Sequence, residues 1–294
     1  MNKQLILLDT SYISFYRFFA TLRWFTLAHK DEYKIIKDNE INNNKQYDWS
    51  TDTIFMTTYK KMYLESIVKL VKKKNFKDSI IIFCLDASRN TLWRKEIFPL
   101  YKEGREDLSL KANYKHVFNY TYNNIIPNII NDHNNVFSLK FDSIEADDII
   151  ACITQFLKIK NPTQKIIILS GDDDFIQLGR LNVNFINFKT KTLLEISEDY
   201  ASKRLRAKIL LGDKSDGILS IFPSSKKELT NAKRLELINS SEQLLLYLKN
   251  NNKVYEKYIT NQKLIDFNFI PDKYYDKIIK EYEKQINKFN NIMK

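Results

Sequence analysis

Short apolar runs that each lead into an aspartate constrain the fold of this chain more than any other feature. Runs of this length, without polar alternation, are typical of strands buried on both faces of a parallel sheet. Segments with helical spacing of apolar residues separate them, so the sequence predicts an α/β fold with a doubly wound, mostly parallel sheet and helices on both faces. The three runs and their acids are residues 5–8 before Asp9, 80–85 before Asp86, and 166–169 before Asp172.

The rest of the chain extends this expected order. Additional strands are predicted at 136–139 and 183–187. Residues 29–53, which are rich in Asn, Asp and Lys, are predicted to form a loop or a mobile insertion. Beyond residue 197 the strand pattern stops, and only helices are expected. The helices predicted before that point span residues 11–27, 53–76, 114–130 and 145–158.

The scarcity of three residue types excludes several kinds of site. The chain has two cysteines, three histidines without metal-ligand spacing, and five glycines. A disulfide scaffold, a cysteine-rich zinc site and a glycine-rich nucleotide loop are therefore excluded. Because no apolar run could span a bilayer and no secretory leader is recognised, the expected location is the cytoplasm, without a membrane partner.

The net charge favours a polyanionic partner. Lys and Arg number 47 against 36 Asp and Glu, which gives a formal charge of +11. Basic chains of this kind are typical of proteins that bind nucleic acids. An A·T-rich genome, which enriches Lys, Asn and Ile codons, would raise the charge as well, so the positions of the acids carry the argument.

Acidic residues concentrate where the predicted sheet would gather them. The carboxyl ends of parallel strands meet at one edge, and carboxylates brought together there repel one another unless cations neutralise them. Each acidic motif alone is also compatible with a turn or a helix N-terminus. Taken together, the predicted metal ligands are Asp9, Asp86, Glu145, Asp147, Asp148, Asp172, Asp174, Asp213 and Asp216.

Oxygen ligands without histidine or cysteine favour Mg²⁺, with Mn²⁺ as a substitute, over zinc or copper. Two such ions about 4 Å apart can activate a water molecule and stabilise the leaving oxygen of a phosphodiester. An acidic, metal-binding pocket in a basic protein is suited to the hydrolysis of nucleic acid. The charges alone do not distinguish DNA from RNA.

The ordered motifs resemble those of the structure-specific 5′-nucleases, which include flap endonucleases and the 5′-3′ exonuclease domains of bacterial DNA polymerases. Trp93-Arg94-Lys95 and residues 264–272 are similar to segments of the phage ribonuclease H branch of that family. The motifs that carry the resemblance are Leu-Leu-Asp9-Thr-Ser-Tyr, Cys-Leu-Asp86, Glu145-Ala-Asp147-Asp148, Ser-Gly-Asp172-Asp173-Asp174 and Gly-Asp213-Lys-Ser-Asp216-Gly.

The resemblance implies a PIN-like catalytic domain over residues 1–200 and a helical DNA-binding region over 201–294. A helical arch is expected at about 89–111. The second region would contain a degenerate helix-hairpin-helix, because the family's glycines are absent after Gly217.

The resemblance also implies roles for individual residues. Asp9, Asp86, Glu145, Asp148 and Asp172 match acids around a first metal ion, and Asp174, Asp213 and Asp216 match acids nearer a second. Asp147 matches a less uniform position, and Asp173 is left out of the site. The expected catalytic cations are Lys102, Arg105 and Arg94. The expected nucleic-acid contacts are Tyr12, Arg89, Lys95, Lys111, Lys214, Lys226 and Lys227.

These expectations describe a monomeric Mg²⁺-dependent 5′-3′ exonuclease or flap endonuclease that removes RNA primers and 5′ flaps during DNA replication. Its substrates would be branched or nicked DNA and RNA–DNA hybrids with a 5′ end, in the host cytoplasm if the chain is viral. A single-strand binding protein and a sliding clamp are candidate partners. Two alternatives stay open, a PIN-like single-strand endoribonuclease and a non-catalytic nucleic-acid-binding module.

Overall fold

A single six-stranded sheet organises the chain. The computed structural model describes residues 3–104, 112–181, 183–223 and 229–292. The strand order is β3-β2-β1-β4-β5-β6, in which the first five strands are parallel and β6 runs antiparallel to β5. The predicted doubly wound sheet is therefore confirmed. The strands are β1 Leu5–Asp9, β2 Ile80–Leu85, β3 Val136–Lys140, β4 Ile166–Ser170, β5 Asn184–Asn187 and β6 Thr192–Leu194.

Helices flank the sheet and form all of the regular structure described after β6, apart from 3₁₀ turns. A π-type segment, Thr121–Ile125, joins α6 to α7. The helices are α1 Thr10–Ala28, α2 Lys30–Asn43, α3 Thr53–Val71, α4 Lys73–Asp78, α5 Arg94–Ile97, α6 Lys115–Tyr120, α7 Ile126–Asp132, α8 Ala146–Lys160, α9 Glu198–Leu211, α10 Asn231–Asn239, α11 Ser241–Lys249, α12 Asn252–Ile265 and α13 Asp272–Ile292.

The apolar strand sequences follow from burial on both faces of the sheet. In β1, Leu5 and Leu7 contribute to a core that includes α8 and α13, whereas Ile6 and Leu8 contribute to a core that includes α1 and α3. Successive side chains of a strand point to opposite faces, so a strand between two helical layers needs apolar residues at every position.

The prediction for residues 29–53 is wrong. Residues Lys30–Asn43 form α2, and Trp49, which is only 1% exposed, packs between Phe25 and Phe55. Ile36 is the one buried residue that α2 contributes, so its apolar periodicity is too weak to be seen in the sequence.

Two further elements differ from the sequence expectation. The helix predicted over 53–76 is divided at Lys72, whose φ of 70° ends α3 before α4 begins. Strand β6 was not expected because it has only three residues, all of them exposed. A strand of that kind carries no hydrophobic alternation that a sequence pattern could detect.

The C-terminal helices share a core with the sheet. Helix α9 continues across residue 200, and Ile278, Ile279 and Tyr282 of α13 pack in the same cluster as Ile149 and Ile153 of α8. Among the described residues, no helix combines the length and the apolar character that a membrane crossing requires.

Candidate active site

The acidic residues collect at the point where the sheet changes winding direction. Strand β1 lies between β2 and β4, so the connections after β1 and after β3 lead to opposite sides of the sheet. Crevices at such switch points, outside the carboxyl ends of the strands, are where open α/β sheets bind ligands. Asp9 ends β1, Asp86 directly follows β2, and Asp172 lies two residues beyond β4.

Backbone and hydroxyl groups orient the first acids. Ser170 Oγ donates to Asp9 Oδ2 at 2.7 Å, and the Tyr12 N–H donates to Asp9 Oδ1 at 3.1 Å. The Ala146 N–H donates to Asp86 Oδ1 at 2.7 Å, so the start of α8 is tied to the end of β2. These bonds hold each carboxylate toward a cavity of about 460 Å³.

Burial makes these carboxylates costly to ionise. Burial and the neighbouring Asp86 raise the pKa of Asp9 to about 7. Burial also raises the pKa of Asp86. Burial and the negative charges of Asp9 and Asp172 raise the pKa of Asp147 well above its usual value. Such shifts arise where like charges are gathered in a dry site, and a cation placed among them would reverse the effect.

Two clusters of carboxylate oxygens have the spacing of cation sites. Asp147, Asp172 and Asp174 offer oxygens that all lie within 4.8 Å of one another, and so do Asp174, Asp213 and Asp216. Asp174 belongs to both clusters, which are therefore adjacent. All of the ligand atoms are hard oxygens, the donor set that Mg²⁺ and Mn²⁺ prefer.

Asp148 lies behind the cavity rather than in it. Its side chain is fully buried and is enclosed by Arg94, whose Nη2 donates to Oδ1 at 2.7 Å and whose Nη1 donates to Oδ2 at 3.0 Å. Trp93 Nε1 and the Glu145 N–H also donate to Oδ2, at 2.8 and 3.2 Å. Both oxygens are thus occupied by protein donors, whereas Asp147, on the same helix turn, lines the cavity.

Arg94 is likewise buried, with 3% of its surface exposed. Besides Asp148 it contacts Glu145 Oε2 at 2.7 Å through Nη1, and its Nε donates to the Leu264 carbonyl at 2.8 Å. The guanidinium therefore joins α8 to the end of α12. It does not line the cavity that Asp9 and Asp86 line.

Lys102 contacts the acids from the segment predicted as an arch. Its ammonium pairs with Glu145 and lies 3.8 Å from Asp216 Oδ2. Its backbone has a φ of 61°, and its N–H donates to the Asp216 carbonyl at 2.9 Å. Burial would raise the pKa of Glu145, but Lys102 and Arg94 hold it down to about 2.

Lys208 is a site residue that the sequence analysis missed. It lies in the last turn of α9, and its ammonium contacts Asp174 Oδ1 and lies 2.8 Å from Asp213 Oδ2. Burial and Asp172 raise the pKa of Asp174 to about 6 in spite of this contact. Burial acts in the same direction on Asp213, but hydrogen bonds from Lys208 and Ser215 lower its pKa to about 2. Lysines are common in the last turn of a helix, where they interact favourably with the helix dipole. The sequence therefore offered no sign that Lys208 belongs to the site.

The turn that carries Asp213 and Asp216 requires glycine. Gly212 has a φ of 76°, and a β-carbon there would lie 2.3 Å from the Ile218 carbonyl oxygen. The Asp213 and Ile218 backbones pair across this turn, and Asp213 Oδ1 accepts from the Ser215 N–H at 2.8 Å. The close turn brings both aspartates back to Asp174.

Some, but not all, of the predicted nucleic-acid contacts lie beside the acidic residues. Tyr12 and the exposed Arg89 line the cavity beside the acids, and Lys214 lines a second hollow beside Asp213. Lys95 instead pairs with Glu103 at 3.2 Å. The predicted site residues outside the described part of the chain are Arg105, Lys111, Lys226 and Lys227.

Comparison with known proteins assigns the family. Residues 4–208 match the family described as 5′-3′ exonuclease, N-terminal resolvase-like domain, and residues 201–293 match the family described as T4 RNase H, C terminal. The first match covers well over half of the chain. This chain belongs to the 5′-3′ exonuclease family.

Individual proteins are similar to this chain in sequence or in fold. The ribonuclease H of Enterobacteria phage T4 is 26% identical over 244 residues, which cover 79% of each chain. The bacteriophage T5 D15 protein, co-crystallised with metal ions, has a TM-score of 0.61 at 17% identity and covers 96% of this chain and 99% of its own. A T5 D15 flap endonuclease variant in a pseudo-enzyme–product complex with DNA and metal ions has a TM-score of 0.59 at 16% identity, with the same coverage.

Removing Arg94 should destabilise the chain strongly. Arg94→Met would leave Asp148 buried without its counter-charge, which typically costs about 3–5 kcal/mol. We expect a loss of that size in the free energy of unfolding, measured by urea denaturation. Arg94→Met combined with Asp148→Asn should recover a large part of it, and a double variant as unstable as the single one would contradict the proposed pairing.

The stability of the metal-free chain should depend on pH through Asp9. Its pKa of about 7 in the folded chain exceeds the ordinary value of 3.8. Between those values the folded chain retains a proton that the unfolded chain has released, so this contribution to stability declines as pH rises. In EDTA, the melting temperature of the wild type should therefore decline more steeply with pH across that window than that of Asp9→Asn. Identical slopes for the two proteins would contradict the assigned pKa.

Proposed function

We propose that this chain is a Mg²⁺-dependent 5′-nuclease that removes RNA primers and 5′ flaps from branched DNA by two-metal hydrolysis. Membership of the 5′-3′ exonuclease family supports the reaction class. The observation that carries the metal requirement is the pair of adjacent carboxylate clusters that share Asp174. Two adjacent oxygen sites are the arrangement that phosphodiester hydrolysis by paired ions needs.

The donor sets suggest which residues would hold each ion. We assign Asp147, Asp172 and Asp174 to one ion, and Asp174, Asp213 and Asp216 to the other, with Asp9 and Asp86 beside the first. When bound, the ions would supply Lewis-acid activation of water and stabilisation of the leaving oxygen. The remaining residues would bind, orient and shield the substrate.

Asp148 and Arg94 would act as positioning residues in this proposal. The sequence resemblance places Asp148 among the ligands of the first ion and Arg94 among the arch cations. Their mutual contacts favour a different division of roles, in which the buried pair fixes the first turn of α8 and thereby aims Asp147 at the cavity. Groups behind metal ligands commonly tune a site in this way.

Lys102 is the described cation best placed to meet a substrate phosphate. It lines the same cavity as Asp9 and Asp86, and its partner Glu145 is a carboxylate that stays ionised at low pH because of Lys102 and Arg94. A phosphate oxygen could replace that carboxylate as the acceptor for the ammonium. Positive charge held against the reacting phosphate stabilises the charge that develops there. Arg105 is proposed for the same role.

An aromatic wall supports an unpaired 5′ strand as the substrate. Phe15, Tyr114 and Phe118 line the same cavity as the acids, with ring centroids 5.5 Å apart for Phe15 and Tyr114 and 4.8 Å apart for Tyr114 and Phe118. Aromatic side chains of this kind stack on exposed bases of single strands, which a flap or a displaced primer provides.

Cleavage of a 5′-labelled flap DNA tests the proposal. The wild type should release the flap with Mg²⁺ and not with EDTA. Asp174→Asn removes a ligand common to both clusters. Replacing a residue that only supports a metal ligand typically lowers activity by up to about 100-fold, so loss of a ligand itself should lower the cleavage rate by more than that. The matched control is Asp173→Asn, because Asp173 is exposed and pairs with Arg204 outside the clusters.

The same assay separates the alternatives. Full activity of Asp174→Asn, or cleavage that persists in EDTA, would contradict two-metal hydrolysis. Preferential cleavage of a linear single-stranded RNA would favour the endoribonuclease alternative. Binding of flap DNA without cleavage under any metal would favour a non-catalytic module.

A further inference from the structure

The second carboxylate cluster already contains a cation of the protein itself. The ammonium of Lys208 contacts Asp174 Oδ1 and lies 2.8 Å from Asp213 Oδ2, and these are two of the three acids in that cluster. The third acid, Asp216, has an oxygen within 4.8 Å of the other two. Lys208 therefore takes part in the cluster directly, through two of the carboxylates that a metal ion would use.

The first cluster differs in this respect. Within the described part of the chain, neither Asp147 nor Asp172 forms an ion pair with a lysine or an arginine. The third acid of this cluster, Asp174, is the one that contacts Lys208 and belongs to both clusters. Among the described residues, Lys102 acts on the charge of Asp147, but its ammonium pairs with Glu145. Both clusters thus offer carboxylate ligands, but the second also holds the ammonium of Lys208 between two of its acids.

Geometry prevents the ammonium and a divalent ion from using the same oxygens together. Mg²⁺ binds oxygens at 2.0–2.1 Å and tolerates little distortion of its octahedral shell. A lysine nitrogen in hydrogen-bonding contact with Asp174 and Asp213 occupies the space between those carboxylates and would also repel the ion. Because lysine is long and flexible and its side chain here is 26% exposed, the ammonium can move away without disturbing α9.

We propose that Lys208 is an intrinsic competitor for the second metal ion. In the metal-free chain its ammonium neutralises Asp174 and Asp213, and a divalent ion must displace it to bind. The inference rests on the proposed metal sites and adds an order to them. The second cluster fills at a higher metal concentration than the first, and Lys208 sets the difference.

Two effects of opposite sign follow from this role. Replacing Lys208 by a neutral residue should strengthen binding of the second ion, because no competing charge has to leave. It should also destabilise the metal-free chain, because the carboxylates then repel one another without compensation. A lysine on the same helix that pairs outside the clusters, such as Lys203 with Asp199, should produce neither effect.

Manganese titration of the metal-stripped protein tests the inference without any measurement of activity. Bound Mn²⁺ can be counted by electron paramagnetic resonance in the wild type, Lys208→Met and Lys208→Arg. We expect Lys208→Met to bind the second Mn²⁺ roughly 10- to 100-fold more tightly, as expected when a charge pair worth a few kcal/mol near the surface is removed. The first ion should bind with nearly unchanged affinity, and Lys208→Arg should keep the weak second site.

Lys203→Met is the matched control. Lys203 lies on the same helix but pairs with Asp199 at 2.8 Å, outside both clusters. The Lys203→Met variant should bind Mn²⁺ with the same affinities as the wild type. The melting temperature in EDTA should be lower for Lys208→Met than for Lys203→Met, and Lys208→Gln provides a second neutral variant for both measurements.

The outcomes distinguish this inference from the proposed function. Two Mn²⁺ ions in the wild type, with a second affinity that Lys208→Met and Lys208→Gln leave unchanged or weaken, would overturn the role of Lys208 alone. Failure of every variant and of the wild type to bind Mn²⁺ would overturn both the metal sites and the inference.

Discussion

Repulsion among carboxylates at the carboxyl edge of the sheet is the constraint on which the rest of the structure depends. Asp9, Asp86 and Asp147 are drawn toward one crevice by the strands and the helix that carry them, and burial together with their mutual charges raises the pKa of each. The described chain offsets part of this repulsion with the ammonium groups of Lys102 and Lys208. A site of this kind is assembled for cations, whether they belong to the protein or come from solution.

The C-terminal helices take part in holding this site together. Arg94 donates to the Leu264 carbonyl at the end of α12 while it pairs with Asp148 at the start of α8. Gln177, beyond the acidic loop after β4, donates to the Ile265 carbonyl at 3.1 Å and accepts from the Phe267 N–H at 3.0 Å. Substitutions in the C-terminal helices can therefore alter the positions of acids that the substituted residues do not contact.

The parts of the structure that the sequence predicted are those set by strong local patterns. Uninterrupted apolar runs identified three of the five parallel strands, and an acid after each of these runs located the edge where the acids would meet. Helix α2 escaped notice because Ile36 is the single residue that it buries. The different surroundings of Asp147 and Asp148 could not be predicted, because those of Asp148 depend on Arg94 and Trp93, more than 50 residues earlier in the chain. The contact of Lys208 with Asp213 depends likewise on the tight turn at Gly212, which follows α9.

Anomalous diffraction from crystals soaked in Mn²⁺ tests the central claim most directly. The account predicts two adjacent manganese peaks. One should be bound by Asp147, Asp172 and Asp174, and the other by Asp174, Asp213 and Asp216 with the Lys208 ammonium displaced. Asp148 should remain paired with Arg94 in that structure. Manganese peaks away from these oxygens, or a peak bound directly by Asp148, would contradict it.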